Sequence, residues 1–125
     1  KAMAKIQLTW SGFYSSYSET TVKNNVPEKA GVYLLWVKLN SEKWKCFYVG
    51  QADNLKTRLL QHLADSEKNE CIKTNVSNYI CGFEFALVGR QADRDGIEKF
   101  LYDYYNPECN KISPPDVEPI EVNLP

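Results

Sequence analysis

The chain is poor in the features that would assign it quickly. Among its 125 residues there is one histidine, one methionine and no Cys-x-x-Cys pair. Without that pair, zinc-ribbon and thioredoxin-type readings fail on spacing. With a single histidine, a nucleophilic cysteine has little base chemistry to activate it. No stretch approaches the roughly 18 consecutive apolar residues that would span a bilayer, so no membrane partner is expected. No charged-then-apolar leader is visible, and no phosphate loop or dinucleotide fingerprint that would mark a cofactor-dependent metabolic enzyme. Lys1 and Ala2, ahead of the only methionine, Met3, read as an appended scar. The four cysteines (Cys46, Cys71, Cys81, Cys109) are expected as reduced thiols in a cytoplasmic protein, or a nuclear one if the source is eukaryotic.

Charge of one sign is also lacking: the formal net charge is -1. Its distribution is uneven. From Ser113 onward there are acids (Asp116, Glu118, Glu121) and no bases, which leaves the preceding residues with 15 basic against 13 acidic side chains. A nucleic-acid surface would therefore be a local patch and not a global field.

What is present is enough for a packed core, with 43% hydrophobic and 25% charged residues. Lys5–Trp10 alternates weakly and predicts an edge strand, and Ser11–Asn25 predicts loop with a short helix. Gly31–Leu39 and Trp44–Val49, joined by the polar Asn40–Lys43, predict an antiparallel hairpin ended by Gly50. Asp53 is the expected N-cap of a helix running to about Asp65, with Leu55, Leu59 and Leu63 on one face. Residues 66–79 are ambiguous, with a short helix through Cys71 and Ile72. Tyr79–Val88 predicts a third strand and Gln91–Tyr105 a second long helix, stopped by Asn106-Pro107. Gly96 costs that helix about 1 kcal/mol against alanine, which suggests close approach by another segment. The tail Ser113–Pro125 reads as extended and partly mobile. The sum is an α+β domain over 31–112, a small sheet flanked by helices, between an N-terminal extension (1–30) and an acidic proline-rich tail (113–125).

Individually, the polar residues of this domain have ordinary explanations as core, cap or solvated groups. Jointly they form an ordered set: GVY at 31–33, YVGQADNLKTRLLQHL at 48–63, and GIEKFLYDYYNPECN at 96–110. This set resembles the GIY-YIG nuclease family over about residues 31–110. The resemblance implies a central three-stranded antiparallel sheet with helices around it, and metal-dependent hydrolysis of DNA phosphodiesters through a single-metal site. It assigns Glu98 as the sole protein ligand of one Mg²⁺ or Mn²⁺, Tyr33 and Tyr48 as paired active-site phenols, Arg58 as the phosphate-binding arginine, and Asn110 as a residue orienting the backbone. His62 matches the branch with histidine one turn after the arginine. The excision-repair branch tends to carry tyrosine there, and lysine where this chain has Gln51.

These residue types suit the chemistry. One carboxylate suffices for a hard cation that keeps its waters, and a guanidinium matches phosphate geometry at any working pH. A phenol needs help to act as a base. Tyr33 is the preferred phenol for orienting or deprotonating the attacking water, with His62 as its proton acceptor. Lys56, Arg58, Arg90 and Arg94 are expected to contact DNA phosphates. A homodimer is expected if both strands are cut. The alternative is a non-catalytic nucleic-acid- or protein-binding module on the same fold.

Overall fold

A computed structural model describes residues 3–114 and 116–125. Lys1 and Ala2, the expected scar, and Pro115 of the tail lie outside the described residues. In chain order the elements are β1 (Ala4–Ile6), α1 (Glu19–Asn25), β2 (Gly31–Lys38), β3 (Trp44–Ala52), α2 (Leu55–Leu63), α3 (Glu70–Asn78), β4 (Cys81–Leu87), α4 (Gln91–Tyr105) and β5 (Ile120–Val122).

The central sheet is antiparallel, in the order β3-β2-β4. Its middle strand, GVYLLWVK, shows no polar alternation because helices cover both faces. On one face Tyr33, Leu35, Phe47, Phe83 and Phe85 pack with Val22 of α1, Leu55 and Leu59 of α2 and Ile72 of α3. On the other, Val32, Leu34, Val49 and Ala86 pack with Ile97 and Leu101 of α4. The hairpin between β2 and β3 closes with Glu42 in the left-handed region (φ 68°).

Neither edge of the sheet is left open, which removes a template for aggregation. Ser11, Tyr14 and Tyr17 donate backbone N–H groups to the carbonyls of Phe85, Phe83 and Cys81 along β4. On the β3 edge, Cys109 N–H donates to the Phe47 carbonyl at 2.9 Å. The Asn110 side chain then brackets Val49: its Oδ1 accepts from Val49 N–H (3.0 Å) and its Nδ2 donates to the Val49 carbonyl (2.8 Å).

Several expectations are corrected. The first strand ends at Ile6 and pairs, in parallel, with β5 from the tail. The end of the tail is therefore docked from Ile120, held further by Asn123, whose side chain bonds the backbone N–H and C=O of Leu8 at 2.7 and 2.9 Å. The close approach suggested by Gly96 is real: a Cβ there would meet Ile120 Cγ1 at 2.5 Å. Strand β3 runs two residues past Gly50, so the turn into α2 comes later and Asn54, not Asp53, is the N-cap, accepting from Thr57 N–H at 3.0 Å. The expectation of four reduced thiols also fails. Cys71 on α3 and Cys109 form a disulfide across 38 residues, while Cys46 and Cys81 are free and buried. Among the described residues, no helix is long and apolar enough to cross a membrane.

Candidate active site

Tyr33 stands in β2 opposite Gly50 of β3. A Cβ on Gly50 would collide with Cζ and Oη of the Tyr33 ring, so the glycine makes room for the phenol. The ring is fully buried and its hydroxyl lies 2.7 Å from Nε2 of His62. His62 is one helical turn beyond Arg58 on α2 and has no exposed surface. Its other nitrogen, Nδ1, lies 3.1 Å from Oε1 of Glu67. A carboxylate only accepts, which assigns the tautomer: Nδ1–H donates to Glu67, and Nε2 accepts the Tyr33 O–H.

Tyr48 completes this side. Its ring is 6.1 Å from that of Tyr33 and edge-on to His62 at 5.2 Å. Burial pushes both phenols above the usual tyrosine range, well above for Tyr33, and the nearby Arg58 guanidinium works against that rise in each. Tyr48 is half-buried, so it is the phenol open to solvent. Burial, followed by the charge of Arg58, pushes His62 down to about 4, with Glu67 opposing. His62 is accordingly neutral at physiological pH.

Glu98 arrives from the other face of the sheet, on α4. Because β3 is an edge strand, the two faces meet around it. Gln51 of β3 ties the strand to α4: its Nε2 donates to Glu98 Oε1 (3.0 Å) and Asp95 Oδ1 (2.8 Å). Its Oε1 accepts from Gln91 Nε2 (2.7 Å) and Arg94 Nε (3.3 Å). Burial pushes the Glu98 carboxyl up, Gln51 opposes this, and Asp95 adds to it. The charge of Glu98 adds to the rise at Tyr48, behind burial and the opposing effect of Arg58. This donor set, an oriented and partly exposed carboxylate with a second one a turn earlier, suits a hard divalent cation that keeps most of its waters.

A match to the family model described as the GIY-YIG catalytic domain extends over residues 29–111. The chain belongs to the GIY-YIG family. The UvrABC system protein C of Aquifex aeolicus is 38% identical over 91 residues, and that of Methanosphaera stadtmanae 30% over 88 residues. Each alignment covers 70% of this chain, and the chain spans only 14% of those proteins. Among solved structures, the GIY-YIG N-terminal endonuclease domain of UvrC from Thermotoga maritima, bound to its catalytic divalent cation, magnesium, superposes with a TM-score of 0.52 at 22% identity, over 72% of this chain and 96% of that one. A point mutant of the same domain gives 0.53. The GIY-YIG fold is thus shared.

Of the residues expected at a GIY-YIG site, the fold gathers Tyr33, Tyr48, Arg58 and His62 on one face, places Glu98 on α4 bonded to Gln51 of β3, and uses Asn110 to brace the strand between Tyr48 and Gly50. Lys56 is half-exposed and Arg90 exposed. Arg94 is a correction. Its guanidinium is buried, donating from Nη1 to the carbonyls of Val88 (3.0 Å) and Gly89 (2.9 Å) and from Nη2 to Asp53 and Gln91 (both 2.8 Å). It holds the β4–α4 turn together and is not free for phosphate. Sequence reasoning missed Glu67 and the hub made by Gln51. Gln51 stood out only as a departure from a lysine, and Glu67 lies in the segment whose periodicity is weakest.

Proposed function

We propose that this GIY-YIG domain is an endonuclease that hydrolyses DNA phosphodiesters with one divalent cation, Mg²⁺ or Mn²⁺, held by Glu98 as its sole protein ligand. The observation that supports the reading is the buried Tyr33–His62 hydrogen bond at 2.7 Å, with the Tyr48 ring 6.1 Å from that of Tyr33. A cation at Glu98 would supply positive charge against the phosphate and the leaving oxygen.

The chain's own residues do the rest. Arg58 is half-exposed beside both phenols and offers its fork to a phosphate oxygen. Tyr33 has no accessible surface in the free protein, so the scheme requires Arg58 to shift onto the phosphate and open the phenol to the attacking water. The water gives a proton to Tyr33 Oη as the phenol's own proton passes to His62 Nε2. The oxygen so freed bonds to phosphorus, the phosphorus bond to the leaving sugar oxygen breaks, and that oxygen takes a proton from solvent. Tyr48 bonds a phosphate oxygen and fixes its position. Lys56 and Arg90 neutralise flanking phosphates. A single site cuts one strand per encounter, so double-strand cleavage calls for a homodimer or for the domain to turn round between cuts.

Incubating supercoiled plasmid with the protein and Mg²⁺ tests this. Nicking by the wild type that is lost in Glu98→Ala is the expected result. No turnover of plasmid, single-stranded, flapped or forked DNA would instead make the domain a binding module.

A further inference from the structure

We infer that Glu67 is a positioning residue for His62, fixing which ring nitrogen carries the proton and balancing the imidazolium when it forms. This rests on the proton path proposed above, in which His62 is the acceptor behind Tyr33.

The geometry is specific. α2 ends at Leu63, and Glu67 belongs to the loop beyond it. That loop turns back on itself, with Glu67 N–H donating to the Ala64 carbonyl at 3.0 Å, and so brings the carboxylate under the helix it has just left. The Glu67 side chain is only 9% exposed and the His62 side chain 0%. A glutamate in a polar loop has every reason to stay in water. Its burial against the chain's one histidine is unusual for its type.

Two consequences follow. Neutral imidazole has one N–H and one lone pair, and without Glu67 the proton is as well placed on Nε2 as on Nδ1. With the proton on Nε2, the ring would donate to Tyr33 and have no lone pair to receive the phenolic proton. Glu67 selects the competent tautomer. Second, the groups facing His62 are the phenols of Tyr33 (β2) and Tyr48 (β3), the Arg58 guanidinium (α2) and Glu67. Tyr17 stands just beyond, its hydroxyl donating to the Leu59 carbonyl at 2.5 Å. Arg58 is the one cation in this set and opposes a second positive charge, while Glu67 is the one carboxylate. An acceptor that must become cationic beside a guanidinium needs that counter-charge.

Because His62 is the only histidine, ¹⁵N-labelled protein reports it without ambiguity. Long-range ¹H–¹⁵N spectra of the full chain should show the Nδ1–H tautomer in the wild type and a mixture containing Nε2–H in Glu67→Ala. Cleavage of plasmid by Glu67→Ala should fall by about 10²-fold in kcat with KM near the wild-type value, the scale of losing general-base help. Glu67→Gln keeps an acceptor at Nδ1, so it should retain the tautomer, lower the His62 titration midpoint and lose about tenfold in kcat. It carries the test if Glu67→Ala does not fold. An Nε2–H wild type, a folded Glu67→Ala with unchanged tautomer and rate, or an unmoved midpoint in Glu67→Gln would each overturn the inference. If the wild type cleaves nothing, the nuclease reading fails, and the spectra still decide whether Glu67 sets the state of His62.

Discussion

Gly50→Ala probes the site through a position that carries no functional group. The added methyl would collide with Cζ and Oη of Tyr33 and stand 2.8 Å from Cε1. The ring cannot retreat cheaply, since it is fully buried and its hydroxyl is tied to His62. Overpacking in a closed core costs about 1–3 kcal/mol, and weakening the Tyr33–His62 bond adds roughly 1 kcal/mol. For a domain of this size, a loss of about 2–4 kcal/mol lowers Tm by roughly 10 °C. Cleavage should fall by about 10²-fold even where the variant is folded, because the phenol is displaced. The assay is thermal unfolding beside plasmid nicking, run as a double-mutant cycle with Tyr33→Phe. Removing Oη relieves part of the collision, so Gly50→Ala should cost less stability in the Tyr33→Phe background. A Gly50→Ala protein within about 0.5 kcal/mol of wild type and fully active would refute the reasoning, as would strict additivity.

Other outcomes follow from particular contacts. Arg94→Ala should destabilise by roughly 2–3 kcal/mol, since two backbone carbonyls lose a charged donor, yet leave the salt dependence of DNA binding unchanged. Arg90→Ala should do the reverse, sparing Tm and lowering the slope of log affinity against log salt by about 1. Glu84 of β4 is buried and its carboxyl is pushed up by burial. Its contribution is favourable below the unfolded carboxylate pKa and is lost as pH rises through the folded one, so Glu84→Gln should raise Tm more at pH 8 than at pH 4.5. Reducing the Cys71–Cys109 bridge, which closes a 38-residue separation, should cost about 3–4 kcal/mol in thermal or denaturant unfolding, and an unchanged Tm in reductant would show that the bridge does not form in solution.

What the sequence made legible was local. The hairpin followed from two apolar runs around Asn40–Lys43, and α4 was readable to its termini because Ile97 and Leu101 recur at helical spacing and Asn106-Pro107 stops it. Asn106 indeed takes the left-handed conformation there. Gly50 was legible only as the end of a strand; the strand register shows that it makes room for the Tyr33 ring. The remaining features depend on contacts distant in sequence. Arg94 looks like a solvated helix residue until the β4–α4 turn folds over it. The tail looks mobile until Ile120 meets Gly96. The Cys71–Cys109 pair is set by how α3 docks against the turn at Glu108–Cys109. Glu67 escaped notice because a loop glutamate five residues past His62 carries no periodic signal. Asp53 lost the N-cap to Asn54 because β3 outlasts Gly50, a boundary that propensity places only to within a few residues.

The claim on which all of this depends is that the α4 carboxylate of Glu98 holds one cation at the β3 edge, close enough to the phenols of the opposite face to act on the same phosphate. Crystals grown with Mn²⁺ test it through anomalous scattering. The account predicts a peak on the Glu98 carboxylate, with Tyr48, Arg58 and Gln51 around it, that vanishes in Glu98→Ala. A peak elsewhere, or a manganese-free edge in protein that still cuts DNA, would contradict it.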